Sequence, residues 1–577
     1  MNATNLFQKK INNTKLLTQN KHLKYLLTFI LFIFFGGIQL AQNGLSDLNF
    51  VATSSFVPTI KDAIKFTDLP EIKDSVNRIS NIKYGITSVP LFPKYEVQTI
   101  EEAKLANEPL PKLYNSLLKL GYGPFYTMPY GEFWIANNRS RENNYGAHVK
   151  HLSSTAQLEG VGNSGYSNNK IELFGKQFYK KHTLSGEINY DRRVIHYYGF
   201  DATSNDLKLK DFDANTKQRY QLIEPKLKLQ SHYSDSVHIN HTILLSYYNL
   251  QNQNQESENN IKLNGLTSLF INKEKLNVNI LTDYYNHKQS NDTINDLIIS
   301  INPSFEAKGS NWNANVGLAG TMNKFNNNKE RFYFYPQINF NYDIYENIII
   351  PYAGVNGGLI KNSFKQLSIE NPFIDSTIRY ANTNNKYNLF LGLKGNLSSN
   401  TSYDARVAYS QFDSLHFFVV NYNDINKMYN RFNVVYDNAS LLNISGQINY
   451  QLNEKLKLIA KGDYNLYTPK NLDHAYHKPS FFLTFTGAYN LRNKIIVKAD
   501  LFFVGSQWAL SQNKDKQLID KQLNGYFDGN IEAEYRYTKT LSFFARFNNI
   551  ANQRYYQWER LPSQRFNMMI GLSFIPF

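Results

Sequence analysis

The sequence contains no cysteine. That excludes disulfide staples, thiol nucleophiles, Cys-ligated zinc and a cysteine-linked lipid anchor. It also lacks long apolar runs. Past residue 41 nothing approaches the roughly 18 continuous apolar residues of a spanning helix. Tryptophan is scarce, 4 residues in 577, against 41 Tyr and 40 Phe. Clusters of basic charge are missing too: the formal net charge is +15, but its Lys and Arg are scattered. Nucleic acid is therefore not expected as a partner, and the basic balance points to solvated faces and an electropositive lumen.

What is present is alternation. In "RFNMMIGLSFIPF", Phe566, Met568, Ile570, Leu572, Phe574 and Pro576 form one row, and Arg565, Asn567, Gly571 and Ser573 the other. That period of two belongs to a strand with one apolar and one wet face. "FYFYPQINFNYDIY" repeats it, with Phe332, Phe334, Pro336, Ile338, Phe340, Tyr342 and Ile344 opposed to Gln337, Asn339, Asn341 and Asp343. "LNISGQINYQL", "LKLIAKGDYNL" and "KIIVKADLFF" do the same. A mean hydropathy of −0.47 does not argue against a membrane, because a spanning strand shows lipid only every second residue.

Three regions follow. Residues 1–41 read as a cleaved export signal: five lysines precede "YLLTFILFIFF", and cleavage is placed after Ala41. Residues 42–111 hold Pro58, Pro70, Pro90, Pro93, Pro109 and Pro111 and alternate poorly, so an irregular periplasmic or lumenal segment is expected there. From 112 to 577 strands dominate. Short turns such as "YKKH", "SDS", "NKEK" and "LRNK" alternate with longer polar stretches: "DATSNDLKLKDFDANTK", "QNQNQESENN", "FKQLSIENPFIDSTIRYANTNN" and "SQNKDKQLIDKQLN". Short-long alternation marks a transmembrane barrel with periplasmic turns and external loops. An even strand count requires an upward strand before Glu132; "KLYNSLLKLGYG" supplies it, turning at "TMPYG". The fold class is then all-β, a transmembrane antiparallel barrel of about 22 strands, with 16 or 18 longer-looped strands as alternatives.

The tail "FNNIANQRYYQWERLPSQRFNMMIGLSF" resembles the C-terminal end of TonB-dependent receptors of Bacteroidetes type, with Asn549, Ile550, Tyr555, Trp558, Pro562 and Arg565 at the matching positions. Gln564 stands where the family usually has Gly. The resemblance implies the family's barrel, an outer-membrane location after export, lipid around it, and insertion by the barrel-assembly machinery. It also brings TonB, or other outer-membrane or periplasmic proteins, as partners. The chain departs from it in leaving only residues 42–111 where a full plug would stand, without a recognisable TonB-binding segment. We therefore expect a receptor-like barrel that restricts or mediates solute passage, with 42–111 restricting the lumen. A passive porin for polar or anionic solutes and a scaffold subunit of an outer-membrane complex are the alternative classes.

Candidate chemistry is sparse. His148 and His151, and likewise His238 and His241, are three apart, so each pair falls on opposite strand faces and shares no ion. Asp473, His474 and His477 lie in a loop where they could converge on zinc or copper. Ser414 and His416, next to Asp413, would share a strand face, but nothing else marks a nucleophile site. No catalytic, cofactor-binding or metal residues are assigned, no cofactor is expected, and the protein is not read as an enzyme.

Overall fold

The computed structural model describes residues 113–577 apart from 138–139, 201–215, 273, 290–291, 327, 376, 424–427 and 577. The expected signal sequence and the segment 42–111 lie outside the described residues.

Twenty-two antiparallel strands form one sheet, and the first, Ser116–Gly123, pairs with the last, Asn567–Phe574, so that the sheet closes. The strand required by parity is thus Ser116–Gly123, and it descends again as Met128–Ala136. The turn between them falls at 124–127, a few residues before "TMPYG", because Thr127 takes a positive φ of 43° and Met128 already pairs with Gly123.

The alternation resolves as a lipid-facing row and an inner row. Leu391 is 63 % exposed, and Ile261, Leu263, Ile280, Ile301, Ile444 and Ile448 are exposed likewise. Asn260, Asn277, Asn279, Ser300, Asn302, Ser304 and Asn323 on the opposite face are buried. An apolar outer band around a polar interior is the inverse of a soluble core and matches a barrel in lipid. In the last strand Ile570, Leu572 and Phe574 face out while Asn567 and Ser573 are buried, so the apolar tail faces lipid. Met569 lies on the inner row, packed on Met128, Tyr130 and Phe544.

Register is held from inside by polar cross-strand pairs. Asn260 donates to Asp283 at 2.5 Å, Ser268 to Asn277 at 2.6 Å, and Asn323 to Asp296 at 2.5 Å. Ser268 and Asn277 stand directly opposite and the other two pairs lie on the diagonal; a directly opposed polar pair contributes roughly 0.2–1 kcal/mol. Prolines interrupt single ladders: the strand Asp292–Lys308 pairs throughout with its predecessor, but its other ladder skips Asn302 and Pro303. A missing N–H costs the ladder on one side only.

The short turns gather at one end, where both the first strand begins and the last one finishes. Asn272, Asn453 and Asn493 adopt positive φ in them, which asparagine tolerates. At the other, outer end two expected long loops are not loops of that kind. Most of "QNQNQESENN" continues the strands Asn240–Asn252 and Ser257–Ile271, leaving only 253–256 as connection. "SQNKDKQLIDKQLN" folds largely into a hairpin, Gln507–Gln512 against Leu518–Leu523.

Barrel closure is a tight seam of five residue pairs. A Cβ on Gly571 would lie 2.2 Å from the Leu120 carbonyl and 2.4 Å from the Phe544 ring. Gly571→Val should therefore block closure, read as loss of the heat-modifiable band of a folded barrel on a semi-native gel. A stable, heat-modifiable variant would show that the seam is looser than this geometry.

Candidate functional site: a loop cap inside the outer mouth

The segment 361–382 leaves the outer end of the strand Ile350–Ile360 and folds into the barrel rather than away from it. It contains the only α-helix of standard length among the described residues, α1, Phe364–Glu370. Ser363 starts it, its hydroxyl accepting the Gln366 N–H at 3.2 Å.

Wall carboxylates hold the segment. Glu258, fully buried on Ser257–Ile271, accepts the Phe364 N–H at 2.7 Å and the Lys365 N–H at 3.2 Å. It thereby satisfies two of the donors that a helix start leaves free. Tyr248 donates its hydroxyl to the same carboxylate at 2.6 Å. Lys361 reaches Asp283 at 2.6 Å and Lys365 reaches Glu224 at 2.9 Å. Asn382 donates to Asp296 at 2.7 Å. Carbonyls along the segment accept from the wall as well, Pro372 from Tyr220 at 2.8 Å and Ile374 from Tyr197 at 3.0 Å. The upper wall is thus acidic where an electropositive lumen was expected, because it is matched to lysines on the loop.

Above these anchors an aromatic core joins several loops. Phe364, Leu367 and Ile374 pack with Tyr220, Tyr248 and Tyr285 of the wall and with Phe418, Phe432 and Trp558. Burying each such side chain contributes about 1.5–3 kcal/mol. Trp558 meets Phe418 at 5.3 Å, Phe432 at 5.6 Å and His477 at 5.1 Å between ring centres. Of the tail residues that carried the family resemblance, Trp558 belongs to this core, and Asn549, Tyr555 and Pro562 tie down the loop that carries it. Asn549, at φ 49°, donates to the Gln553 and Gln564 carbonyls; Tyr555 stacks on Tyr526 at 3.9 Å; and the Pro562 carbonyl accepts from Tyr198. Gly199, at φ 91°, lets two loops touch: a Cβ there would sit 2.5 Å from the Arg560 carbonyl.

The helix's far end is fixed by an ionic cluster in which Glu370 keeps about a third of its side chain exposed while its partners are buried. Glu370 takes Lys478 and His416 Nε2, both at 2.7 Å. Burial opposes its ionisation, but Lys478 and His416 outweigh that and hold the carboxyl well below the usual range. Burial likewise would depress Lys478, and Glu370 reverses it, so the ammonium stays protonated.

Two further groups tie the cap to pH. Burial lowers His477 to about 3, and burial raises Glu256, in the connection 253–256, to about 8. His477 stays neutral in the closed cap, so closure weakens as pH falls from about 6.5 toward 3. Glu256 stays protonated in the closed cap, so closure weakens as pH rises from about 4.5 toward 8. We expect amide exchange in Phe364–Glu370, corrected for intrinsic rates, to be slowest between about pH 4.5 and 6.5, rising by up to about tenfold per pH unit above that window and more steeply below it, where protonation of Glu370 adds to that of His477. A protection profile flat from pH 4 to 8 would contradict both assignments.

Below the cap the lumen wall carries a belt of charge. Arg546 pairs with Glu532 at 2.6 Å and lies over Tyr130, which donates to Glu132. His148 then bridges Glu132 at 3.1 Å and Glu172 at 2.5 Å, with Trp134 stacked on its ring, and Lys170 closes on Glu172 at 2.6 Å.

The remaining histidines behave as separate groups. His151 bonds Asn169 and Ser153, away from His148. His238 sits in a periplasmic turn on Asp235 and Tyr233, while His241 neighbours His182. His474 and His477 do not converge: the first stacks on Trp508 at 3.8 Å and the second is enclosed by Phe432 and Trp558. Positive φ at His477 turns the two rings into different surroundings. Nor do Ser414 and His416 form a pair. A bulge between Phe412 and Leu415 breaks the alternation that put them on one face; Asp413 pairs with Lys386, and His416 is committed to Glu370. Among the described residues no group of three His, Asp or Glu is placed to hold a metal. Glu258, the main anchor, was not legible beforehand, since one acid among polar strand residues carries no sequence signal.

A closed 22-strand barrel, apolar outside and charged within, with its outer mouth filled by its own loops, is a transmembrane β-barrel. Among solved structures the chain is similar to the pyoverdine outer membrane receptor FpvA from Pseudomonas aeruginosa PAO1 bound to pyoverdine: TM-score 0.61, 10 % identity, 81 % of this chain and 79 % of that one covered. It is similar to the FrpB iron transporter from Neisseria meningitidis (F3-3 variant), with TM-score 0.62, 9 % identity and coverage of 81 % and 82 %. The siderophore receptor PirA from Acinetobacter baumannii gives TM-score 0.61, 10 % identity and 81 % of each chain. No protein-family model matches the sequence, and no curated protein matches it. At such identities the likeness is one of fold, and the barrel that the tail implied is the barrel the chain forms.

Proposed function

We propose that this chain is a gated outer-membrane receptor that mediates the passage of a bulky polar solute, captured in its closed state. The observation that carries the reading is the in-folded segment 361–382, bonded to Glu224, Glu258, Asp283 and Asp296 across the mouth. A passive porin needs an open mouth, and a mute scaffold has no use for a cap anchored on buried charges. The solved neighbours include a pyoverdine receptor, an iron transporter and a siderophore receptor, so a chelate of that size is the first solute class to try. The belt from Glu532 to Lys170 would give such a solute exchangeable polar partners below the cap. We also propose that residues 42–111 act on the periplasmic side of the pathway in place of a full plug, through TonB or another periplasmic protein, and that no catalytic step is involved.

The test is swelling of liposomes carrying the intact protein. Small sugars should enter no faster than in empty liposomes, and a recognised solute should be bound at the outer face. Porin-like swelling by the untreated protein would sink the gated reading.

A further inference from the structure

The barrel wall is incomplete at one place. The strands Arg331–Tyr342 and Ile350–Ile360 pair over four residues only, Ile338–Asn341 with Tyr352–Val355, the fewest of any seam. On their other sides both strands pair along nearly their whole length. Above Ile338, about 16–20 Å of strand edge at 3.3 Å per residue is without a ladder. Three local features produce the gap. Pro336 has no N–H to donate. A register shift between Asn356 and Gly358 turns the second strand away. Beyond Ile360 the chain then dives inward as the cap.

Side chains close the lower part of this gap and its inner face, where Leu359 packs on Tyr335 and Tyr333. Gln337 donates to the Gly357 carbonyl at 2.8 Å, and the Tyr335 hydroxyl crosses to Asn384 at 2.8 Å. Above them a cavity of about 380 Å³ is bounded by Arg331, Phe332 and Tyr333 on one side and by Asn384 and Ser414 on the other. Its two sides thus come from strands that are not sheet neighbours, so it occupies the place of the departed strand. It adjoins a larger cavity of about 670 Å³, which shares Arg331 and Tyr333 and adds Lys329, Arg379, Tyr380 and Tyr436. No carboxylate partner of Lys329, Arg331 or Arg379 is found among the described residues; Asp413, on the wall of the smaller cavity, is taken by Lys386 at 2.8 Å. Outside, Phe332 and Phe334 are 66 % and 68 % exposed, the two most exposed phenylalanines in the barrel wall.

We propose that this window is a binding site for an amphiphile with an anionic head group, entering sideways from the outer leaflet. Lys329, Arg331 and Arg379 hold the head, with the tyrosines around it. Its acyl part leaves past Phe332 and Phe334 into the bilayer. The charge is matched by the three cations, and the apolar exit is matched by the two exposed rings. This site borrows Arg379, Tyr380 and Asn382 from the cap, but it does not require that the axial passage be gated.

Native mass spectrometry of the full chain in an uncharged detergent tests the site, with dimyristoyl phosphatidic acid, dimyristoyl phosphatidylcholine and inorganic phosphate as probes. The phosphatidic acid adduct should survive at activation energies that strip phosphatidylcholine. The double variant R331Q/R379Q should lose it by about tenfold, on the scale of one charge-assisted hydrogen bond, while remaining heat-modifiable. Equal retention of both lipids, or an unchanged adduct in the double variant, would overturn the proposal. Displacement by inorganic phosphate at equal concentration would reassign the cavity to a free anion and overturn the lipid. Should the double variant fail to fold, the absence of cysteine allows spin labels at Glu330→Cys and Gly358→Cys alone, Glu330 being exposed and outside both cavities. Gly358 has open space around its Cβ position. Phosphatidic acid should shift the label distance and phosphatidylcholine should not; no shift with either also overturns the proposal.

Discussion

Replacing residues 362–381 by a short Gly-Ser linker should turn a silent protein into one that carries persistent current in a planar bilayer. The expected change is large, because the segment and its loops fill the upper lumen of a barrel whose strand number leaves a wide channel if nothing occupies it. The strand Ile350–Ile360 and its successor keep their own ladder, so the wall should survive the replacement. The informative comparison is with a chain lacking 42–111. Silence in that truncated protein, with conduction in the loop replacement, would place the seal in the cap. Conduction by the truncated protein alone would place it in the N-terminal segment, and the cap would be a permeable vestibule. If neither conducts although both fold, other loops suffice to close the mouth.

A second large effect is expected from one carboxylate. Glu258→Ala removes the acceptor of two helix N–H groups and of the Tyr248 hydroxyl, all in a site from which water is excluded. Losing three hydrogen bonds at a buried site and leaving their donors unpaired costs about 3–5 kcal/mol. If that cost falls on the closed state alone, the open population rises by roughly two to four orders of magnitude. Hydrogen exchange over residues 363–371 and the frequency of channel openings should rise together. Glu258→Gln keeps one acceptor oxygen and should fall between the two. Should the alanine variant exchange like the parent, the helix is held by its aromatic contacts, and Trp558→Ala would become the decisive substitution. The pH profile gives an independent check, since His477 and Glu256 act on the same closed state from opposite sides.

Both expectations concern features that differ in how visible they were. Alternation in stretches such as "FYFYPQINFNYDIY" was enough to assign lipid-facing Phe340 and inner Gln337, because strand geometry alone sends successive side chains to opposite faces. Parity demanded a strand before Glu132, and Ser116–Gly123 provides it. Local rules failed where a residue's neighbours lie far off in the chain. Glu258 and Phe364 are 106 residues apart, and Glu370 and Lys478 are 108 apart. A single bulge before Leu415 was enough to separate Ser414 from His416.

The sequence by itself therefore determined the barrel: its antiparallel strands, its lipid-facing row, its short turns at one end, and the family likeness of its tail. These follow from period-two patterning and turn chemistry, which act within a few residues. Only the tertiary structure decided what the lumen contains and where the wall opens. The stretch "FKQLSIENPFIDSTIRYANTNN" reads as a polar external loop, yet it turns inward because acids on four wall strands and aromatics from distant loops meet it there. Burial of paired charge and aromatic surface is a property of the assembled barrel, and no local pattern encodes it.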